Sequence, residues 1–181
     1  MKKYELPHVR KRLSGLTGQC LHDVGYAADM LTLGFGPEGE YRLHIECSYR
    51  MATEETILFD RIDYFRPSKE LCSKWRAQGL DEDDFPQEWP DTDCRLFEEV
   101  KELKTQLDGM TVETADVNRL GDLKIRFANG VTLLALPMSS DADDECWRFW
   151  NDALWPDQHM VVYGDHVELH GPGKEESHFA E

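Results

Sequence analysis

Two segments in which apolar and polar residues alternate constrain this chain more than any other feature of its sequence. The apolar positions are Leu31, Leu33 and Phe35 in the first segment and Leu123, Ile125 and Phe127 in the second. Because successive side chains of a strand point to opposite faces, each segment places one apolar face toward a core. Turn residues follow both segments, at 36–39 and at Asn129-Gly130, and the latter pair predicts a two-residue type I′ turn with positive φ at both positions.

A second apolar run follows each turn, so each segment predicts a hairpin. The first returning run alternates through Tyr41, Leu43, Ile45 and Cys47, and the second covers 131–136. The two hairpins resemble each other, and a glycine precedes each of them, which fits either a duplicated unit or two independent amphipathic hairpins with a similar pattern. Further strands are expected at 56–59 and 160–163. The pattern predicts a mostly antiparallel β-sheet built from two similar hairpin halves.

One amphipathic helix is expected at 94–107 and packs on this sheet. Its apolar stripe consists of Leu96, Phe97, Val100, Leu103 and Leu107. Asp91, Thr92 or Asp93 is expected to cap this helix, and Ser68 is expected to cap a shorter helix that ends before Gly79. The fold class is therefore α+β, in a single domain over residues 1–181. Residues 1–15 are expected to form a basic N-terminal arm or short helix, and 171–181 a polar tail.

Length and cysteine content indicate a protein of a reducing compartment. A chain of 181 residues with 40% apolar residues buries enough surface to fold without a disulfide or a metal. The five cysteines are scattered and odd in number, which favours reduced thiols. There is no apolar run long enough for a signal peptide or a membrane span. We expect a cytoplasmic protein.

The net charge of −16 is concentrated in two parts of the chain. Residues 80–99 carry a charge of −8 and residues 137–181 a charge of −9, whereas residues 1–13 carry +4. A negative field repels phosphates, so no nucleic acid is expected as a partner. The acidic surface has two interpretations, which are solubility alone and an interface for a basic protein.

Catalytic and metal-binding signatures are incomplete throughout. His44-Ile45-Glu46-Cys47 has the H-x-E of zinc deaminases but lacks the C-x-x-C that completes that metal site. His166 and His170 are four residues apart, but the acid between them and the strand-like flank do not fit H-E-x-x-H. No nucleophile elbow, dinucleotide fingerprint or phosphate-binding loop is present. We therefore expect no catalytic residue, no metal and no cofactor.

The candidate partner-binding residues lie in the acidic segments and beside them. They are Asp81, Glu82, Asp83, Asp84, Trp89, Asp143, Asp144, Glu145 and Trp147. The aromatic cluster formed by Trp147, Phe149, Trp150 and Trp155 has two interpretations. A place in the core is favoured over a set of interface anchors.

Three functions remain open from the sequence. The leading one is a non-enzymatic, acidic protein-binding module. The second is a small-ligand binder or enzyme with a polar cleft of dispersed residues, which are Arg42, His44, Glu46 and Arg50 together with Arg126 or Arg148. The third is a structural homo-oligomer that pairs through its edge strands.

Four stretches of sequence carry a resemblance to known proteins. They cover 27–36, 41–51, 120–130 and 145–149, with the sequences AADMLTLGFG, YRLHIECSYRM, LGDLKIRFANG and ECWRF. In these stretches the chain resembles a set of small uncharacterised bacterial proteins. The resemblance implies a bacterial, cytosolic origin and a shared β-rich fold, and it assigns no activity. More distantly, the chain resembles immunity proteins, which are small acidic α+β proteins that neutralise toxins in the same cell.

Overall fold

Two antiparallel sheets and three helices make up the computed structural model, which describes residues 5–107, 109–139, 141, 143–151, 153–155, 158–171 and 174–177. The helices in these ranges are α1 (Glu5–Leu13), α2 (Lys69–Ala77) and α3 (Arg95–Lys104). The first five strands are β1 (Leu21–Ala27), β2 (Met30–Phe35), β3 (Tyr41–Ile45), β4 (Ser48–Ala52) and β5 (Ile57–Asp60). The others are β6 (Val112–Val117), β7 (Leu123–Phe127), β8 (Thr132–Leu136), β9 (Glu145–Asn151), β10 (His159–Tyr163), β11 (Val167–Gly171) and β12 (Lys174–Ser177). The chain is α+β.

The strands form two sheets, whereas the sequence predicted one. The first sheet has the order β1-β2-β3-β9-β10-β11-β12, and the second has the order β5-β4-β8-β7-β6. Each alternating segment buries its apolar face against the other sheet, and the rings of Phe35 and Phe127 stack with centroids 6.4 Å apart. A sheet with one apolar face needs a second layer to cover it. Here the two predicted hairpins provide that layer for each other.

The two halves of the chain exchange strands between the sheets. Strands β1, β2 and β3 are sequential neighbours in the first sheet, and then β4 and β5 cross to the second sheet, where β4 pairs with β8. Strands β6, β7 and β8 are sequential neighbours in the second sheet. Strands β9 and β10 then return to the first sheet, in which β9 pairs with β3. Each sheet therefore contains strands from both halves.

Two helices cover the outer strands of the sheets. Helix α3 contacts β1 and α1 contacts β6. The apolar residues that these helices bury include Val9 and Leu13 from α1 and Leu96, Val100 and Leu103 from α3. Covering an edge strand in this way limits its pairing with another chain. The expectation of one main helix was incomplete, because α1 also contributes to the core.

The helix start signals were right for α2 and wrong for α3. Ser68 caps α2 by accepting a hydrogen bond from the backbone N–H of Leu71 at 3.1 Å, which confirms the prediction. Helix α3 is shorter than the predicted 94–107, and its cap is the Cys94 sulfur, which accepts from the N–H of Phe97 at 3.4 Å. The predicted acidic caps form a separate 3-10 turn over Asp91–Asp93.

The turn at Asn129-Gly130 is also different from the predicted type I′ form. Gly130 has a φ of 84°, while Asn129 is not among the residues with positive φ. The N–H of Gly130 donates to the carbonyl of Phe127 at 3.0 Å, and the N–H of Phe127 donates to the carbonyl of Val131 at 2.9 Å. The loop therefore has three residues, and only its last one needs the left-handed conformation that glycine adopts easily.

The predicted arm and tail are only partly described. Helix α1 begins at Glu5, and residues 1–4 lie outside the described ranges. In the predicted tail, Lys174–Ser177 forms β12, and residues 172–173 and 178–181 lie outside those ranges. No helix in the described part of the chain has the length and apolar character needed to cross a bilayer.

Candidate functional site

An exposed aromatic ridge lies between the end of β5 and helix α3. The ring centroids of Phe65 and Tyr64 are 5.1 Å apart, those of Tyr64 and Tyr26 are 6.3 Å apart, and those of Tyr26 and Phe97 are 6.5 Å apart. Phe65 is 56% exposed and Phe97 is 36% exposed, and Ile62 on the same turn as Phe65 is 53% exposed. Exposed apolar side chains in one continuous group mark an interaction surface more often than isolated ones do.

A short 3-10 helix, Arg61–Phe65, holds this ridge in a fixed conformation. The Asp60 carboxylate accepts from the N–H groups of Ile62 and Asp63 at 2.8 and 3.2 Å. The Asp63 carboxylate accepts in return from the N–H of Asp60 at 3.1 Å. This reciprocal capping box fixes the direction in which the chain leaves β5. The turn therefore presents Ile62 and Phe65 to solvent without a long flexible loop.

Asp91 connects the ridge to the first acidic segment. Tyr64 donates its hydroxyl to the Asp91 carboxylate at 2.8 Å, and Tyr26 donates to the Asp91 carbonyl at 3.0 Å. The hydrogen bond to Asp91 raises the pKa of Tyr64. Burial, followed by the neighbouring Cys94, raises the pKa of Tyr26. Both phenols stay protonated near neutral pH, so they keep donating to Asp91.

The remainder of the first acidic segment lies on helix α2. Residues Glu82–Asp84 form a 3-10 turn, all of it exposed, and Arg76 of α2 pairs with Glu82. Trp89 is partly buried against the core, with its ring centroid 6.3 Å from that of Trp75. The acids predicted as partner-binding are therefore available, whereas Trp89 anchors the segment that carries them.

The second acidic segment lies near the first residue of the 3-10 helix Arg61–Phe65. Asp143, Asp144 and Glu145 line a cavity of about 730 Å³, and Arg61 lines it with them. Arg61 is the first residue of the turn whose last residue is Phe65. The acids at 81–84, Asp143 and Asp144 therefore lie on the surface, whereas the predicted partner-binding residue Glu145 is mostly buried, with its side chain 16% exposed and paired with Arg148.

The predicted polar cleft divides between two opposite faces. Arg42, His44 and Arg148 lie in register on the outer face of the seven-stranded sheet. Arg50 and Arg126 alternate with buried residues of β4 and β7, so they lie on the outer face of the five-stranded sheet. The two outer faces are separated by both sheets and the core between them. The convergence of Arg50 with His44 was wrong.

The residues of the predicted cleft that do lie together on the seven-stranded sheet line only a small cavity. Arg42, His44 and Trp150 line a cavity of about 230 Å³. Burial, followed by the charge of Arg148, lowers the pKa of His44. Burial, followed by the charge of Glu145, raises the pKa of Glu46. These groups have ordinary structural causes for their shifts, and within the described residues no group of three or more His, Cys, Asp or Glu side chains is arranged to hold a metal ion.

Trp147 lies in the core and is unavailable to a partner. Its exposure is 0%, and its indole N–H donates to the carbonyl of Gly121 at 2.9 Å. Phe149 is equally buried, whereas Trp150 lies on the outer face, in contact with His44 and with His159 at centroid distances of 4.7 and 4.4 Å. The core interpretation of the aromatic cluster therefore holds for Trp147 and Phe149.

A histidine–carboxylate group lies on strand β11 of the seven-stranded sheet and on the residue before it. Glu168, 7% exposed, accepts from His166 at 3.1 Å and from His170 at 2.7 Å. Burial disfavours charge on His166, but hydrogen bonds to Asp165 and Glu168 outweigh it and raise the pKa of His166. Burial also disfavours charge on Glu168, but hydrogen bonds from His170 and His166 outweigh it and lower the pKa of Glu168.

Replacing Glu168 by Gln is expected to destabilise the protein more below about pH 6 than above about pH 8. A raised pKa in the folded state means that protonated His166 contributes stability below its unfolded pKa of 6.5. That contribution is lost as the pH rises through the folded pKa. Urea unfolding of both proteins across this range measures the difference. An equal loss at both ends of the range would contradict the coupling, and His22→Gln, an exposed position on β1, serves as the control.

Comparison of the chain with protein-family models, with curated proteins and with solved structures finds no match. The candidate site is therefore defined by its own geometry. Its central residues, Ile62, Tyr64 and Phe65, follow the strand predicted at 56–59, and no sequence pattern identified them as a site. The available signal was Asp60 followed at the third position by Asp63, which is the spacing of a capping box.

Proposed function

We propose that this chain is a non-enzymatic protein-binding module that masks a basic partner. The observation that carries the proposal is the exposed aromatic ridge with two acidic segments near it. A few residues supply most of the binding energy at protein interfaces, and aromatic side chains such as Tyr are enriched among them. Carboxylates around them select a partner of opposite charge and accelerate its association.

The fixed conformation of the ridge supports such a role. A stable interface covers about 800 Å² on each partner, roughly 20–30 residues. The ridge, the 3-10 turn and the exposed acids are the parts of the chain that would contribute to this area. The capping box and the Tyr–Asp91 hydrogen bonds keep the ridge ordered before binding, which reduces the entropy lost on association.

An immunity-type role in a bacterial cytosol is the form of this function that we favour. It follows from the resemblance to small bacterial proteins and to toxin-neutralising proteins, together with the net charge of −16. The common order of pairing in β1–β5 and β6–β10 supports the further proposal that the two halves descend from one duplicated unit. A basic protein encoded beside this chain's gene is the first partner to test.

Replacing Ile62 and Phe65 together by Ser is expected to abolish capture of a basic partner. The double variant removes the two most exposed apolar side chains of the turn but keeps its capping box. Immobilised protein is incubated with a lysate of the cells that produce it, at low and at high salt, and bound proteins are identified by mass spectrometry. Leu120→Ser is the matched control, since Leu120 is 69% exposed and lies in the β6–β7 turn.

Neutralising the acidic turn provides a second arm of the same experiment. Asn or Gln at residues 81–84 is expected to slow association and to weaken its salt dependence, while the ridge still binds at high protein concentration. Recovery of the same basic protein by the Ile62/Phe65 variant as by the unmodified chain would place the interface elsewhere. Recovery of no basic protein at either salt concentration would refute the proposed function itself.

A further inference from the structure

Two cysteines from opposite halves of the chain meet where the strands cross between the sheets. Strand β3 ends at Ile45, which pairs with Trp147 of β9. The N–H groups of Glu46 and Cys47 then both donate to the carbonyl of Cys146, at 2.9 and 3.0 Å. Two residues opposite one are the pattern of a β-bulge, and the bulge places Cys47 directly across from Cys146.

Facing positions of two antiparallel strands are suited to a disulfide. Residues directly opposite on antiparallel strands have Cα atoms about 4.5–5.5 Å apart, within the range of about 4.4–6.8 Å that disulfides span. The Cys47 thiol donates to the carbonyl of Ser48 at 3.7 Å, and the Cys146 thiol donates to the carbonyl of Asp144 at 3.6 Å. Both line the cavity of about 730 Å³ beside Arg61, so a small reagent reaches them although Cys146 is only 2% exposed.

The two thiols have different acidities. The neighbouring Cys47 thiol lowers the pKa of Cys146, although burial and the charges of Asp144 and Glu145 oppose this. The neighbouring Cys146 thiol, together with burial, raises the pKa of Cys47. Cys146 is therefore the first of the pair to form the thiolate, and the thiolate is the nucleophile in cysteine oxidation. Cys47 is the resolving thiol.

We propose that Cys47 and Cys146 form an oxidative modification site that takes hydrogen peroxide or a related hydroperoxide. The Cys146 thiolate attacks one peroxide oxygen, the O–O bond breaks, and the hydroxide that leaves is protonated to water. The resulting sulfenic acid is attacked by the Cys47 sulfur, the S–S bond forms, and the S–O bond breaks. The Cys47 proton leaves with the hydroxyl group as a second water. Two thiols lose two electrons, and one peroxide is reduced to two water molecules.

The disulfide joins the first half of the chain to the second. It closes a loop of about 100 residues, which restricts the unfolded chain strongly. The oxidised protein is expected to melt roughly 10 °C higher than the reduced protein. The site does not depend on the proposed partner-binding function, because it lies in the bulge between the sheets and requires no partner.

Peptide mapping of the purified full-length chain after peroxide treatment tests the proposal. Free thiols are alkylated, the protein is digested without reduction, and the peptides are analysed by mass spectrometry. The expected product is a peptide that joins Cys47 to Cys146 and lacks two hydrogen atoms, with Cys20, Cys72 and Cys94 alkylated. The unmodified chain suffices for this measurement, so it does not depend on how well a variant folds.

Two variants assign the order of the steps. Cys47→Ser is expected to accumulate a sulfenic acid at Cys146 that a cyclic dione traps, whereas Cys146→Ser is expected to trap none at Cys47. Cys20→Ser, at an exposed thiol, is expected to leave the crosslink unchanged. Alkylation of both Cys47 and Cys146 after peroxide treatment that oxidises Cys20 would overturn the proposal.

Discussion

Cutting the chain between α3 and β6 is expected to leave two pieces, 1–107 and 108–181, neither of which folds alone. Mixing them is expected to restore the fold. Strand β3 has β9 as its neighbour and β4 has β8, so each piece alone lacks the partner of two of its strands. The apolar faces of those strands, including Leu43 and Ile45, would also lie open to water.

Circular dichroism and urea unfolding of each piece, and of the equimolar mixture, measure this outcome. Cleavage of the folded protein at the same junction is the control. The nicked protein is expected to stay folded, because the strand pairs persist without the connection. A cooperative unfolding transition in the first piece by itself would contradict the prediction and would mean that strands β1–β5 form a stable unit.

Replacing Trp147 by Ala is expected to cost about 3–5 kcal/mol in the free energy of unfolding. The substitution removes the largest of the fully buried side chains and leaves a cavity between the sheets. It also leaves the Gly121 carbonyl without the indole donor at 2.9 Å, and a buried unpaired acceptor carries its own penalty. The change is measured by urea unfolding monitored by circular dichroism.

Trp150→Ala is the matched control for this substitution. Trp150 lies on the same strand but on the outer face, where it contacts His44 and His159. Its loss is expected to cost about 1 kcal/mol, which is the value of exposed aromatic contacts. The loss of unfolding free energy for Trp147→Phe is expected to lie between those of the two alanine variants, since phenylalanine keeps a ring but lacks the indole N–H donor. Equal losses for the two alanine variants would show that Trp147 is not the central residue of the core.

The sequence predicted the strands with one polar face better than the others. The alternation through Leu31, Leu33 and Phe35 is a direct consequence of one-sided burial, and it identified β2. Strand β4 was not recognised as a separate strand, because it begins three residues after β3 and the apolar pattern runs through the junction. Only the pairing with β8 assigns β4 to the second sheet, and pairing between residues distant in sequence leaves no local signal.

The candidate site was predictable only in part, because some of its contacts also join residues that are distant in sequence. Acidic residues such as those at 81–84 and 143–145 are identifiable because charged side chains stay at the surface. Phe97 fits the apolar stripe of α3, and nothing in its spacing distinguishes it from its buried neighbours. It is exposed because the shorter helix packs its Leu96 and Val100 side against β1 and β5. The contact between Tyr64 and Asp91 depends on that same packing.

The carboxylates beside the aromatic ridge also determine how copies of this chain behave toward one another. Two ridges that approach face to face bring two acidic borders within a Debye length, about 8 Å at physiological ionic strength. Like charges at that range repel, so self-association through the rings is disfavoured even in a concentrated solution. High salt or acid removes this repulsion. The acidic borders thus disfavour contact between two ridges and leave the apolar surface exposed to solvent.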